Sequence, residues 1–280
     1  MLGQAERLFE LNKLKTGPAR QGTAKVIAFT SGKGGTGKTF VSLNLAYSLA
    51  KQNKKILFID LDSNLSNANI MINVVAKKTI YDYFTGRALL PELVFQYEQN
   101  LHFIFGDSGK TDYPKSKLDQ TEHLFNQIHS LEKNYDYIFL DTGAGANDEI
   151  ISILVNSDLS ILITSPEPTA VMDAYVIIKF LSNNNYAGKK LVLVNKCSDP
   201  ADGEATFGNL SAAASHFLNE KLHLIGSLDF DQGVGQTIIA QELLLKKEPG
   251  RKISRQIIKI SKSLHEFIHM ANIHHTNSLK

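Results

Sequence analysis

The feature that most constrains the fold is a series of short apolar runs separated by segments with helical spacing. The runs are VIAFT (26–30), KILFID (55–60), LHFIFG (101–106), DYIFLD (136–141), LSILITS (159–165), KLVLVN (190–195) and HLIGSLD (223–229). Runs that are apolar at nearly every position are typical of strands buried on both faces. Helices between such strands form right-handed crossovers that join parallel neighbours. The sequence therefore predicts an α/β fold: a doubly wound, mostly parallel sheet with helices on both faces.

Composition narrows the classes of function. The net charge of +2 at pH 7 is too close to zero to indicate a nucleic-acid binder, and we expect no specific nucleic acid as a partner. A single cysteine, Cys197, excludes a disulfide framework or a cysteine-ligated cluster within one chain and indicates a reducing compartment. No run approaches the ~18 apolar residues of a membrane-spanning helix. We therefore expect a cytoplasmic protein, with peripheral attachment to the inner face of the cell membrane as a further option.

Four segments follow from the pattern of the chain. A short helix is expected within residues 1–15, and TGPARQGTA (16–24) has the composition of a linker. The α/β domain occupies residues 25–250. Residues 251–280 are expected to form an amphipathic helix and a tail.

The turn after the first apolar run has the pattern of a phosphate-binding loop. GKGGTGKT, from Gly32 to Thr39, matches G-x-x-x-x-G-K-[ST] and lies between a predicted strand and a predicted helix. Glycines allow backbone N–H groups to turn inward and form an anion site, which the dipole of the following helix reinforces. The Lys38 side chain would neutralise β- and γ-phosphate charge, and the Thr39 hydroxyl would ligate Mg²⁺. The expected nucleotide-binding residues of this loop are Gly32, Lys33, Gly34, Gly35, Thr36, Gly37, Lys38, Thr39 and Phe40.

Acidic residues follow two of the predicted strands. Asp60 ends the second apolar run, Asp62 follows it two residues later, and Asp141 ends the fourth run. Carboxylates at this edge of an α/β sheet, beside a triphosphate and Mg²⁺, hold metal-bound water or orient the attacking water. A second interpretation is that Asp60 and Asp62 only cap the following helix.

The segment LVLVNKCSDP (191–200) bears on the choice of base. An asparagine amide at a strand end, here Asn195, suits the edge of adenine. A GTPase would need N-K-x-D, but Ser198 stands at the fourth position and Asp199 comes one residue late. This departure favours ATP, with Asn195 and Lys196 near the base.

Lys33 makes the phosphate-binding loop similar to that of a known protein family. K-G-G-T-G-K-T resembles the deviant Walker A motif of the MinD/ParA ATPases, P-loop NTPases of the SIMIBI class. The resemblance implies an ATP-dependent homodimer in which Lys33 acts in trans on its neighbour's phosphates, with Lys38 and Asp62 as further catalytic residues. It also implies that Asp60 and Asp141 join Thr39 on the Mg²⁺ side. A second base-contacting loop in this family follows the last strand, where this chain has Leu228 and Asp229.

Two further segments resemble one branch of this family, the regulators of flagellar number called FlhG or FleN. The first is SPEPTAVMDAYVIIKFL (165–181), and the resemblance places Glu167 near the ribose or the dimer contact and makes Asp173 a partner of Lys33 in one state. The second is GQAERLFEL from Gly3, which shares Gln4, Ala5 and Leu8 with a helix that contacts an FlhF-type signal-recognition GTPase. The implied role is control of flagellar number and placement, with flagellar basal-body or regulatory proteins as further partners.

The C-terminal segment and the whole chain each have more than one interpretation. Ile253, Ile257, Ile260 and Leu264 form one stripe in residues 251–271, flanked by basic side chains. Such a helix either packs on the sheet or binds an anionic membrane surface. For the whole chain, the alternatives are a ParA-type ATPase for DNA segregation and a nucleotide-bound interaction module that does not hydrolyse ATP.

Overall fold

The computed structural model describes residues 24–62, 66–107 and 118–277. Its strands are β1 (Lys25–Ser31), β2 (Ile56–Leu61), β3 (Phe95–Glu98), β4 (Leu101–Ile104), β5 (Tyr137–Ala144), β6 (Leu159–Thr164), β7 (Lys189–Cys197) and β8 (His223–Asp229). Its helices are α1 (Lys38–Lys51), α2 (Ala68–Met71), α3 (Ile80–Phe84), α4 (Leu118–Leu131), α5 (Asp148–Val155), α6 (Pro168–Asn183), α7 (Pro200–Leu218), α8 (Gln232–Ile239), α9 (Leu244–Lys247) and α10 (Lys252–Asn277). Gln4, Ala5 and Leu8 lie outside the described residues, as does nearly all of the expected linker.

The strands form one eight-stranded sheet in the order β3-β4-β2-β5-β1-β6-β7-β8. Each of the seven apolar runs became a strand, and these seven strands pair with one another only in parallel, so the predicted fold class is confirmed. β3 is an addition that the sequence did not predict, and it pairs antiparallel with β4. Its sequence, FQYE, is short and partly polar because it lies at the edge of the sheet, so it leaves no apolar run.

Alternate residues of the central strands supply two separate cores. On one face, Phe29 packs against Phe139 with ring centroids 4.7 Å apart, and Phe103 stacks on Phe105 at 5.2 Å. On the other face, the smaller Ala28 and the aliphatic residues of β2 and β5 belong to a core that also includes residues of α4, α5, α6 and α7. Burial on both faces explains why the strands are apolar at nearly every position.

Helix α1 is buried nearly all around. The sheet covers one side, and α9 and α10 cover the other. A polar contact joins the two long helices where they cross: the hydroxyl oxygens of Ser48 and Ser261 lie 2.7 Å apart, and Gln52 Nε2 donates to Ser261 Oγ at 2.9 Å. The helix that begins at the P-loop is therefore a central element of this face of the molecule.

The apolar stripe of α10 belongs to the core that contains α1. Ile257 and Leu264 are fully buried, and Ile253, Ile260 and Ile268 are nearly so. Of the two interpretations of this stripe, the structure shows packing on the domain, and these side chains are not available to a lipid surface in this conformation. Within the described residues, none of the helices combines the length and the apolar character needed to cross a bilayer.

Candidate functional site

The P-loop connects the end of β1 to the start of α1 at the carboxyl edge of the sheet. Gly35 and Gly37 have φ angles of +81° and +88°, in the left-handed region that glycine adopts without strain. These conformations allow the loop to curve around an anion. The Thr36 Oγ1 atom is buried and, within the described residues, has no hydrogen-bond partner. A bare, concave backbone with an unsatisfied hydroxyl suits a phosphate group.

Asp141 is the centre of a buried polar cluster at the start of α1. Its Oδ2 atom accepts a hydrogen bond from Thr39 Oγ1 at 2.7 Å and forms an ion pair with Lys38 Nζ at 2.9 Å. Its Oδ1 atom accepts a hydrogen bond from Ser42 Oγ at 2.9 Å. The Lys38 and Asp141 side chains are 7% and 1% exposed, so this ion pair is shielded from water. The structure thus brings together Lys38, Thr39 and Asp141, three residues that the sequence assigned to one site.

Asp60 lies beside this cluster because β2 and β5 are neighbours and the register pairs Asp60 with Asp141. Ser66 Oγ donates to Asp60 Oδ2 at 2.7 Å, the backbone N–H of Ala68 donates to the same atom at 3.2 Å, and that of Asp62 donates to Oδ1 at 3.1 Å. Burial raises the pKa of Asp60 to about 6, and the nearby charge of Asp141 contributes in the same direction. Asp60 therefore links the end of β2 to Ser66 and to the start of α2.

Asp62 lies next to the chain that follows Asp141. A Cβ atom at Gly143 would lie 3.5 Å from Asp62 Oδ1, so the carboxylate is directly beside this glycine. Glu149, in the first turn of α5, is a third carboxyl group nearby. Burial raises the pKa of Glu149, and the charge of Asp62 raises it further. The edge of the sheet beside the P-loop thus carries carboxyl groups from the end of β2, from β5 and from α5.

The end of β7 is fastened to the P-loop. Asn195 Nδ2 donates to the carbonyl of Thr36 at 2.8 Å, and Lys196 Nζ donates to the carbonyl of Gly35 at 2.7 Å. A Cβ atom at Gly37 would lie 2.3 Å from Asn195 Nδ2, so any other residue at this position would displace the amide. The amide that the sequence assigned to the adenine edge therefore also supports the loop that would hold the phosphates.

Asp199 is the N-cap residue of α7. Its Oδ1 atom accepts a hydrogen bond from the backbone N–H of Asp202 at 2.9 Å, so it caps the start of α7. A side chain committed to an N-cap supports the inference that this loop lacks the guanine-reading aspartate.

Lys33 is held by residues of its own chain. Its Nζ atom forms an ion pair with Glu167 and donates to Thr169 Oγ1 at 3.0 Å. The hydrogen bond and charge of Lys33 lower the pKa of Glu167. Asp173 packs against the same loop at Gly32. A Cβ atom added to Gly32 would lie 2.4 Å from both the backbone carbonyl carbon and the Cβ atom of Asp173. The start of α6 therefore meets the P-loop at both Gly32 and Lys33.

The two remaining residues that the sequence assigned to nucleotide binding have partners within the protein. The Asp229 carboxylate accepts a hydrogen bond from Gln256 Nε2 at 2.9 Å and forms an ion pair with Lys252, so it fastens β8 to α10. The Phe40 ring is buried in the core beneath α1. Any contact that Phe40 makes with a ligand would therefore use its backbone.

The donor set fits a triphosphate with Mg²⁺. Mg²⁺ prefers oxygen ligands, keeps several waters and is bound through one or two carboxylates together with substrate phosphates. The Thr39 hydroxyl and the Asp141 carboxylate supply such oxygens, with Asp60 beside them. Lys38 supplies the cation that a phosphate requires.

Sequence reasoning missed two hydroxyl groups that organise this site. Ser42 lies one turn after Thr39 in α1, and its spacing from Lys38 was available as a signal because residues four apart share a helix face. Thr169 shares the Lys33 ammonium group with Glu167. No sequence pattern pointed to Thr169, since the contact joins residues more than 130 positions apart.

Comparisons with known proteins agree with this geometry. Residues 24–191 match the family model AAA_31, described as an AAA domain. The chain is 32% identical over 265 residues to the flagellum site-determining protein YlxH of Helicobacter pylori, covering 93% of this chain and 90% of that protein. It is 29% identical over 230 residues to the antiactivator FleN of Pseudomonas aeruginosa, covering 82% of each chain.

Solved structures share the fold. The septum site-determining protein MinD from Pyrococcus horikoshii, solved as a complex with Mg-ADP, superposes with a TM-score of 0.75 at 22% sequence identity. The match covers 88% of this chain and 98% of that one. At this identity the likeness concerns the fold alone.

Proposed function

The chain belongs to the MinD/ParA family of P-loop ATPases, and from that premise we propose that it is an ATP-dependent switch that regulates the number or placement of flagella. Nucleotide binding and hydrolysis would drive the switch. ATP and Mg²⁺ are the proposed ligands.

One observation carries the enzymatic part of the proposal. Lys38, Thr39 and Asp141 form a buried cluster at the P-loop, with Asp60 in register on the neighbouring strand. Removing two charges from water costs several kcal/mol per ion, so a buried ion pair adds little to the stability of a fold. The presence of this pair therefore needs a functional explanation. Triphosphate binding gives such an explanation, because Lys38 and Thr39 can leave Asp141 and contact the ligand instead.

Each residue has a defined task in this proposal. Lys38 compensates phosphate charge, and Asp141 and Thr39 hold the metal side of the site. Asp62 orients the attacking water beside Gly143. Bound Mg²⁺ would supply charge neutralisation at the β- and γ-phosphates. Asn195 and Lys196 keep the loop curved through their hydrogen bonds to Thr36 and Gly35.

Lys33 carries the dimeric part of the proposal. Its side chain is 31% exposed at the mouth of the P-loop, where a second copy could be reached. In the proposed active state, Lys33 leaves Glu167 and Thr169 and contacts the triphosphate of the neighbouring subunit, stabilising the charge that develops during phosphoryl transfer.

The flagellar role rests on the relatives. YlxH and FleN match over most of their own length and most of this chain, and their names concern flagellar site determination and antiactivation. We propose an FlhF-type GTPase as the partner of residues 1–15, flagellar basal-body or regulatory proteins as further partners, and a peripheral association with an anionic membrane surface.

Asp62→Ala is the variant that tests the enzymatic and dimeric parts. The purified variant should bind Mg-ATP and elute as a dimer, because hydrolysis no longer resets the complex. Light scattering after size-exclusion chromatography measures the mass with ATP, with ADP and without nucleotide. A wild-type chain that hydrolyses no ATP would favour the non-hydrolysing module, and Asp62→Ala that stays monomeric with ATP would contradict the dimer.

The flagellar part needs a separate experiment. A pull-down with an FlhF-type GTPase, with and without residues 1–15, should show binding only for the longer chain. Counting flagella by electron microscopy in cells that lack the gene should show an altered number or position. DNA binding that falls steeply with salt, together with normal flagella, would favour the ParA-type alternative.

A further inference from the structure

Ser42 contacts the Asp141 carboxylate from beneath the P-loop. It is fully buried in the second turn of α1, and its hydroxyl lies 2.9 Å from Asp141 Oδ1 and 3.1 Å from the carbonyl of Thr39. A hydroxyl has one proton to donate. The carboxylate is both nearer and charged, so it is the better acceptor.

The two oxygens of Asp141 have different kinds of partners. Oδ2 is bonded by Lys38 and Thr39, the two residues that the proposed function assigns to the nucleotide and the metal. Oδ1 is bonded by Ser42, which has no exposed surface with which to contact a ligand. One oxygen thus faces the ligand side of the site, and the other faces the interior of α1.

Ligand binding would change these partners unequally. Lys38 and Thr39 must leave Oδ2 when they turn to the phosphates and the metal. Ser42 cannot follow them, because it is enclosed by the sheet and the helices around α1. A carboxylate held through one oxygen keeps its orientation, whereas one that has lost all three donors is free to rotate.

We propose that Ser42 is a positioning residue that keeps the Asp141 carboxylate turned toward the bound metal once Lys38 and Thr39 have turned to the nucleotide. The inference rests on the proposed function. It goes beyond it by assigning the orientation of the carboxylate to a hydroxyl that touches neither nucleotide nor metal. Partners that orient a metal-binding carboxylate typically change metal affinity by 10–100-fold when they are removed.

Ser42→Ala tests the proposal, with Ser48→Ala as the matched control. Ser48 is also a buried serine of α1, but its hydroxyl meets Ser261 rather than Asp141. Mn²⁺ is titrated into the full-length chain with bound ADP, and free Mn²⁺ is measured by electron paramagnetic resonance. We expect Ser42→Ala to weaken Mn²⁺ binding about 10-fold, while Ser48→Ala stays within about twofold of the wild type.

Two further measurements separate positioning from general damage. The Mg²⁺ concentration for half-maximal ATP hydrolysis should rise in Ser42→Ala, while binding of a fluorescent ATP analogue in EDTA should be unchanged. Ser42→Cys keeps the shape of the side chain with a much weaker donor and should behave like Ser42→Ala, so it serves if the alanine variant fails to fold.

The contradicting outcomes are distinct. Mn²⁺ affinity in Ser42→Ala within twofold of the wild type, or an equal loss in Ser48→Ala, would overturn the inference while leaving the proposed function standing. A wild-type chain that binds no Mn²⁺ in the presence of ADP would overturn the proposed function and this inference together.

Discussion

Lys33 and Glu167 form an ion pair within one chain, and Thr169 accepts a second hydrogen bond from the same ammonium group. The lysine that distinguishes this P-loop is therefore engaged before any second subunit arrives. If Lys33 acts across a dimer, formation of the active state must break this contact. The Glu167 side chain is 59% exposed, so solvent screens this ion pair and breaking it costs little free energy.

Glu167→Gln should therefore favour the dimer. The variant keeps a hydrogen-bond acceptor but removes the charge that holds Lys33 in its own chain. We expect the protein concentration at half-maximal ATPase activity to fall by about fivefold or less, because solvent screens the exposed pair that the variant removes. ATPase rates measured against protein concentration test this, with Glu204→Gln, an exposed glutamate of α7, as control. A higher half-maximal concentration would indicate that Glu167 supports the dimer instead.

Gly37→Ala should disrupt the P-loop. The added Cβ would lie 2.3 Å from Asn195 Nδ2, at a φ of +88° that alanine adopts with strain. We expect the free energy of unfolding to fall by about 1–3 kcal/mol and nucleotide binding to be lost.

The matched control for this change is Gly208→Ala in α7. A Cβ at Gly208 meets no atom within 4 Å, and its φ is not positive. Alanine is favoured over glycine in a helix interior by about 0.5–1 kcal/mol, so this variant should be slightly more stable than the wild type. Urea unfolding measures both. Equal stabilities of the two variants would show that the Asn195 contact does not constrain the loop.

Asp60→Asn should stabilise the protein without nucleotide in a pH-dependent way. The pKa of Asp60 is raised from 3.8 to about 6 by burial and by Asp141, so the folded chain keeps a proton that the unfolded chain loses between about pH 4 and 6. The contribution of Asp60 to the free energy of unfolding therefore falls as pH rises through this window. Above pH 6 the cost of burying the charge is fully present, about 3 kcal/mol at most.

The asparagine variant removes this cost but also replaces an acceptor of the Ala68 N–H group. We therefore expect a net gain of about 1–2 kcal/mol at pH 8 that shrinks as the pH is lowered toward 4. Urea unfolding of both proteins across this range measures it. A difference that does not vary with pH would contradict a raised pKa for Asp60.

Ile257→Ala distinguishes the two interpretations of the C-terminal stripe. Ile257 lies on the side of α10 that faces the core and is fully buried. Its truncation should therefore reduce the free energy of unfolding by about 2–4 kcal/mol. Lys262→Ala, on the exposed side of the same helix, should change it by less than about 0.5 kcal/mol. Thermal or urea unfolding measures the change. An unchanged stability together with weaker binding to anionic vesicles would favour a membrane role for the stripe.

The predictability of the fold differed between its centre and its edge. The central strands are buried on both faces, so their sequences carry an unbroken apolar run that identifies them without further information. β3 packs one face at the margin of the sheet and pairs through its backbone with β4, and neither property requires an apolar sequence. Its residues Phe95 and Gln96 are exposed and carry no strand pattern.

Within the site, residues on strands and helices were easier to predict than contacts made by loops. Lys38, Thr39 and Asp141 could be assigned together because strand order places the carboxyl ends of β1 and β5 side by side. The cis contact of Lys33 with Thr169, and the N-cap role of Asp199, depend on where loops return and leave no mark on local composition. Chemistry carried by regular elements was predictable, whereas the choice among several possible partners in the loops required the three-dimensional structure.

The enclosure of α1 has a consequence for synthesis on the ribosome. Helix α1, which follows the P-loop, is translated early. Its outer side, however, is covered by Leu245 and by residues between Ile253 and Ile268, which are translated late. A nascent chain that ends at β8 contains every strand of the described sheet but lacks α9 and α10. One side of α1 is therefore still exposed to solvent. The nucleotide pocket therefore gains its full support only after some two hundred further residues have been added. A chaperone or a slow step of elongation near that point would act on a sheet that is complete and a cofactor site that is not.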